Sequence, residues 1–434
     1  MKVDRRLLAL VGLGVLVLSA CGTLPGEQAA VGAAQGADDA ESEEANVDEG
    51  SAPEAEAEGE PEVASSADPG APAAAGYQCS DGSDPFAGVD LRFSFNFWPE
   101  TDFCQHTVDY GEVLGLLRAD QIPPIDVPSF EPVADADARI ADQEPVMVYV
   151  ENGDARAYPL AIMTWHEIVN DTVGGRAVAV TYCPLCNAGI VFDRVVDGQE
   201  LTFGTTGNLR NSDLVMWDRQ TQSWWQQFTG EGIVGEMAGT QLEFLPSSIS
   251  SWGEFKEAYP DGQALLPGAI RDYGRNPYVG YDTDENPFAF VGEIDPRLSA
   301  VERVLGVTMG GEAVAYPFET LAESGVVGDT VGGQDVVVFY QPGQVSALDG
   351  SAIADSRDVG SAAAYDPNLN GQALTFSYAD GTITDNETGS RWNIFGQAVS
   401  GPLAGEELDQ LLAYPHFWFA WAAFQPETDV WGAA

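Results

Sequence analysis

Cys183 and Cys186 bracket Pro184 and Leu185 at the end of an apolar run, in a chain with only five cysteines. Thiols at that spacing can close into a disulfide or share one soft metal ion, and both chemistries run through the thiolate. His166 and Met216 are the other residues whose types fit such a centre. An imidazole and a thioether added to two thiolates make a soft donor set that suits copper, Cu(I) above all. Zinc normally takes Cys and His and avoids Met. Each added residue also has a plainer use. A helical histidine is commonly a hydrogen-bonded core residue, and a methionine beside a tryptophan commonly fills space.

An internal repeat sharpens the choice. Ala157-Tyr158-Pro159, Asp171-Thr172-Val173-Gly174-Gly175, Val178, Val180, Tyr182 and Pro184 all recur 158 positions later, from Ala315-Tyr316-Pro317 to Pro342. Further on, Leu201-Thr202-Phe203 is answered by Leu374-Thr375-Phe376, and Thr221, Ser223, Trp225 and Phe228 by Thr388, Ser390, Trp392 and Phe395. The second copy has Gln341-Pro342-Gly343-Gln344 at the cysteine turn and Ser324 in place of His166. A scaffold that keeps the strand, the tyrosine and the proline while lacking both thiols does not need them to fold.

The elements that position these residues are short. Alternation in Met147-Val148-Tyr149-Val150 and in Ala177 to Tyr182 predicts strands, as do Gly189 to Phe192 and Leu201 to Thr205. Spacing from Leu160 to Asn170 predicts a helix with His166 and Asn170 one turn apart on one face. A second short helix is expected over Ser251 to Tyr259. Frequent glycine and short strands favour antiparallel pairing. The expected class is α+β, strand-rich, as two tandem pseudo-repeat domains of mostly antiparallel sheet.

Several blocks resemble DUF3179, a domain of unknown function found in secreted and lipid-anchored proteins. They are Trp165-His166-Glu167-Ile168-Val169-Asn170-Asp171, Val180-Thr181-Tyr182-Cys183-Pro184-Leu185-Cys186 and Phe192-Asp193-Arg194. Leu201-Thr202-Phe203-Gly204, Ser212-Asp213-Leu214-Val215-Met216, Asp218-Arg219 and Asn276-Pro277-Tyr278 continue the likeness. It covers roughly 144–282 and, less closely, the second copy. Trp217 and Gln222 depart from the pattern, where tyrosine and glutamate are expected. The resemblance implies an envelope location and a shared site, and no substrate.

The N-terminus agrees with that location. Lys2, Arg5 and Arg6 precede an apolar run from Leu7 to Leu18 that ends Leu18-Ser19-Ala20-Cys21, too short to span a membrane comfortably. It resembles a lipoprotein signal over 1–21, with Cys21 as the lipidated residue. From 22 to 76 the chain is mostly Ala, Gly, Glu, Asp, Pro and Ser without a basic or aromatic residue, which reads as a flexible acidic stalk. A leading segment over 77–134 follows, then the first copy with its connector over 135–299 and the second over 300–431. In an oxidising envelope Cys79 and Cys104 are expected to pair, fastening the aromatic stretch Phe93, Phe95, Phe97 and Trp98.

The formal charge is −50, and only two lysines occur, Lys2 and Lys256. Such a chain repels nucleic acid and anionic headgroups, so no nucleic-acid partner is expected. The expected attachments are the membrane, through the lipid, and an envelope redox or metal-handling protein. No phosphate-cradling glycine loop, His-Glu-x-x-His helix or nucleophile elbow occurs, so no enzymatic reaction is named.

Three functions stay open. The first is copper binding or electron transfer at Cys183, Cys186, His166 and Met216. The second is thiol–disulfide exchange, with Cys183 attacking and Cys186 resolving. The third is a non-catalytic binding or scaffold module with structural disulfides, whose tryptophans either stack on a ligand or fill the core.

Overall fold

Each copy opens on a hairpin, Pro145–Glu151 with Asp154–Pro159 and, in the second, Arg303–Met309 with Glu312–Pro317. A two-turn helix follows, Leu160–His166 or Phe318–Ser324. A second hairpin closes the unit, Ile168–Val173 with Arg176–Cys183, or Val326–Val331 with Gln334–Gln341. Every one of these bounds is displaced by 158 between the copies. The computed structural model describes residues 77–268 and 273–433. The expected signal with Cys21 and the stalk lie outside them.

The class is α+β and strand-rich, with mostly antiparallel sheets and five short α-helices among the described residues. Parallel pairing enters at equivalent places, where Gln263–Leu265 runs beside Asp154–Pro159 and Asp429–Val430 beside Glu312–Pro317.

Both copies fall within one compact unit, and their first hairpins explain why. Side chains alternate across a strand. Met147, Tyr149 and Tyr158 face their own copy's sheet, around Val178 and Val180. Val146, Val148, Ala155 and Ala157 face the other way, onto Val337, Phe339, Ala363 and Tyr365 of the second copy. The second hairpin does the converse. Leu305, Val307 and Tyr316 cover Val336 and Val338 of their own sheet, while Val304 and Ala315 join the first copy's core. Full burial of a large apolar side chain contributes about 1.5–3 kcal/mol. The exchanged faces therefore make each copy part of the other's core.

One expected helix is shorter than its spacing suggested. It stops at His166, and Ile168–Val173 is a strand, so Asn170 shares no helical face with His166. β-Branched Ile168, Val169, Thr172 and Val173 favour the strand, and Glu167 breaks the helix with a left-handed φ of 58°. Asn170 instead bridges Asp126 and the Phe203 backbone. The expected helix near Ser251 spans Trp252–Ala258, with Ser251 and Glu254 forming a capping box.

The leading segment is tied by a Cys79–Cys104 disulfide. Phe86, Trp98, Phe103 and Tyr110 pack with Trp224 in a separate small core. Phe97 is not part of that fastening and is 44% exposed. Trp224, Trp225, Trp392, Trp418 and Trp421 are all buried, so these tryptophans offer no stacking surface to a ligand.

Candidate metal centre

The cysteine turn is a tight hairpin connection. Cys183 pairs with Ala188 across it, and Asn187 takes a left-handed φ of 50° with its amide donating to the Pro184 carbonyl. The Tyr182 hydroxyl donates to Asn187 Oδ1 at 3.1 Å. Two outside groups hold the turn. The Tyr281 hydroxyl donates to the Leu185 carbonyl at 3.1 Å, and the Phe417 amide of the second copy donates to the Cys186 carbonyl at 2.8 Å. Both thiols are free and buried.

A carboxylate joins them that sequence reasoning did not select. The ligand atoms of Cys183, Cys186 and Asp213 all lie within 4.8 Å of one another, and none of the three is more than 2% exposed. Asp213 Oδ2 is satisfied by the Gln226 side chain at 2.6 Å and the Phe228 amide at 2.9 Å. Oδ1, on the same buried carboxylate, has no hydrogen-bond partner. The thiols are near enough to favour its charge without reaching it in hydrogen-bond geometry.

A hairpin that is longer than its counterpart in the second copy delivers Asp213. Phe203–Arg210 and Asp213–Asp218 pair from Phe203↔Asp218 to Arg210↔Asp213, closed by a turn at Asn211 and Ser212 with both φ values positive. Its counterpart runs only from Phe376↔Asp385 to Ala379↔Thr382, six residues shorter overall. The extra length carries Asp213 to the thiols, and Cys183 Sγ lies 3.8 Å from the Ser212 carbonyl.

Glu167 is the fourth acidic or thiol group here. It follows the short helix, and its carbonyl accepts from the Tyr182 amide at 2.8 Å, which sets it beside Cys183. Its side chain is buried, and no hydrogen bond or ion pair reaches its carboxylate among the described residues.

All four groups favour their protonated forms, and burial is the first cause in each. Glu167 is pushed up to about 8, with the neighbouring Asp213 charge adding to the effect. Asp213 is pushed up to about 7, against the hydrogen bonds from Gln226 and Phe228 that lower it. Burial also raises both thiols, Cys186 well above the usual thiol range. Exchange-active cysteines need the opposite, a thiolate favoured by positive surroundings.

Of the other two expected ligands, His166 lies outside this group and Met216 shares the apolar core that holds both thiols. The His166 ring nitrogens sit 2.6 Å from the Pro123 carbonyl and 2.7 Å from the Tyr273 hydroxyl, and the ring is not among the clustered ligand atoms. Met216 is fully buried in the main core. Its register counterpart is Ile383, itself a core residue of the second copy. Two signals in the sequence pointed to the missed residues. Glu167 stands where the second copy has Gly325, and Asp213 lies in the stretch with no counterpart.

A family model described as a protein of unknown function (DUF3179) matches residues 119–428. No curated protein and no solved structure matches the chain. The matched stretch takes in both copies, the cysteine turn and the hairpin that carries Asp213, and the chain belongs to the DUF3179 family.

Proposed function

We propose that this is a metal-binding protein of the cell envelope, with the ion held by Cys183, Cys186 and Asp213 of the first copy. The observation that carries the reading is the unpartnered Oδ1 of Asp213, buried beside two thiols. An unpaired buried acceptor costs about 1–3 kcal/mol, and no ion pair reaches either Asp213 or Glu167 among the described residues. A cation supplies the missing countercharge and draws the protons off the thiols.

The donor set shifts the preferred ion. Two thiolates with a carboxylate suit a borderline divalent ion such as Zn(II) better than Cu(I), for which His166 and Met216 were the expected soft partners. Burial on all sides suits an ion that is stored or carried, rather than one that turns over a bulky substrate. The second copy, with Gln341 and Gln344 at the turn, serves as the scaffold.

Metal uptake by the reduced full chain tests this. One equivalent of Zn(II) should survive gel filtration, with less retained by Asp213→Asn and none by the Cys183→Ser/Cys186→Ser double variant. Uptake no greater than that of the double variant sinks the reading, and preferential retention of Cu(I) returns it to copper. The envelope placement rests on the Leu18-Ser19-Ala20-Cys21 signal, and Cys21→Ser should move the protein from the membrane fraction to the soluble one.

A further inference from the structure

Glu167 and Gly325 end equivalent helices with nearly the same backbone, φ 58° and ψ −31° against φ 68° and ψ −34°. Glycine adopts this region without penalty, whereas a residue with a Cβ does not. The second copy therefore shows the relaxed solution, and the first keeps a glutamate at a strained position. The surroundings have changed to match. A Cβ on Gly325 would collide with the Tyr378 ring. By register, the first copy has Thr205 at that place, a small side chain whose hydroxyl turns to the Ile122 carbonyl. Where the second copy sets an aromatic ring against a glycine, the first has a threonine and a glutamate.

That carboxylate has no structural employment. It caps nothing, pairs with no cation and accepts no hydrogen bond among the described residues. It is close enough to Asp213, Cys183 and Tyr278 to act on the charge of each.

We infer that Glu167 supplies the fourth donor of the metal centre, closing a tetrahedral shell of two sulfurs and two oxygens when the ion enters. The inference rests on the metal-binding reading above. Closed structural sites carry four protein ligands, and the three groups already gathered leave one position open. The resulting charge, two thiolates and two carboxylates around a divalent ion, equals that of a four-cysteine zinc site. Glu167 stands outside the 4.8 Å group, so the assignment requires its carboxylate to move toward the ion on binding.

Cobalt(II) substitution in the reduced full chain tests the assignment, because ligand-field bands report coordination number while sulfur-to-metal charge transfer reports the thiolates. Glu167→Gly should fold, since the second copy already holds glycine in this backbone, and Glu167→Gln keeps the side-chain volume. Both variants should retain the charge-transfer band, change the ligand-field bands and bind about 10- to 100-fold more weakly, the usual loss on altering a metal's surroundings. Unchanged ligand-field bands and affinity in both variants overturn the role of Glu167 and leave the three-ligand site standing. Absence of any cobalt uptake by the parent protein overturns both.

Discussion

The carbonyl of Cys186 accepts its hydrogen bond from the amide of Phe417, 231 positions further along the chain. The thiol turn of the first copy is thus clamped by the strand Ala413–Phe417 of the second. Phe417 is fully buried and faces Tyr281, which itself holds the Leu185 carbonyl. The copy without thiols has a task at the site, which is to fix the turn that carries them.

Removing the Phe417 ring should loosen that clamp. Phe417→Ala is expected to cost about 3–5 kcal/mol, the usual range for a buried phenylalanine. It should also speed alkylation of Cys183 and Cys186 in the ion-free, reduced protein. Urea denaturation and timed alkylation read the two effects. Destabilisation with unchanged thiol reactivity would mean that the clamp is only packing.

Stability of the ion-free protein should depend on pH through Glu167 and Asp213. Their folded values, about 8 and about 7, are raised above the unfolded carboxylate range near 4. A raised acid binds its proton more tightly when folded. Its contribution is fully present below the unfolded value and is lost as pH rises through the folded one. Each group should therefore lower stability by about 1.4 kcal/mol per pH unit between those limits. Glu167→Gln should remove its share, so that its stability-against-pH curve is flatter than the parent's from pH 4 to 8. Parallel curves would dismiss the buried-acid account. Metal affinity should run the other way, rising with pH as thiols and carboxylates shed protons to the ion.

The two hairpins of each copy and the helix near Ser251 were legible because alternation and capping residues are local signals. The first helix was overextended because Leu160 to Asn170 keeps helical spacing while Glu167 turns the backbone within it. Cys183 and Cys186 announced themselves by type and by their loss in the second copy. Asp213 did not, because one carboxylate among 68 acidic residues carries no signal by type. What distinguishes it is delivery by a hairpin six residues longer than its counterpart: the extra length shows in the sequence, but which residue it carries to the thiols is set by the pairing register. The exchange of strand faces between the copies was equally hidden, since alternation gives two faces without saying what covers each.

The Cys79–Cys104 disulfide closes a loop with a sequence separation of 25 and holds the aromatic cluster against Trp224. Loop closure of that size contributes about 3 kcal/mol. Cys79→Ser/Cys104→Ser should lose about that much in urea denaturation while still taking up one equivalent of metal. The leading segment packs on the hairpin sheet through Trp224 and pairs Val113–Gly115 with Phe203–Arg210. Loss of metal uptake in this variant would place the segment within the site's support.

Met216 separates the expected soft-donor set from the proposed one. Its register partner in the second copy is Ile383, and both are buried in apolar clusters. If the position is core in both copies, Met216→Ile should cost no more than about 1.5 kcal/mol, the range for a swap of similar volume. It should leave metal stoichiometry and affinity unchanged, as measured by competition with a chromophoric chelator. A thioether ligand would behave otherwise, because isoleucine offers no donor, and Cu(I) affinity would fall while Zn(II) affinity held. Asp213→Asn should give the opposite ordering, with Zn(II) suffering more than Cu(I), since a carboxylate oxygen serves the harder ion. The pair of variants thus tells which fold feature shapes the centre, the core methionine or the extended hairpin.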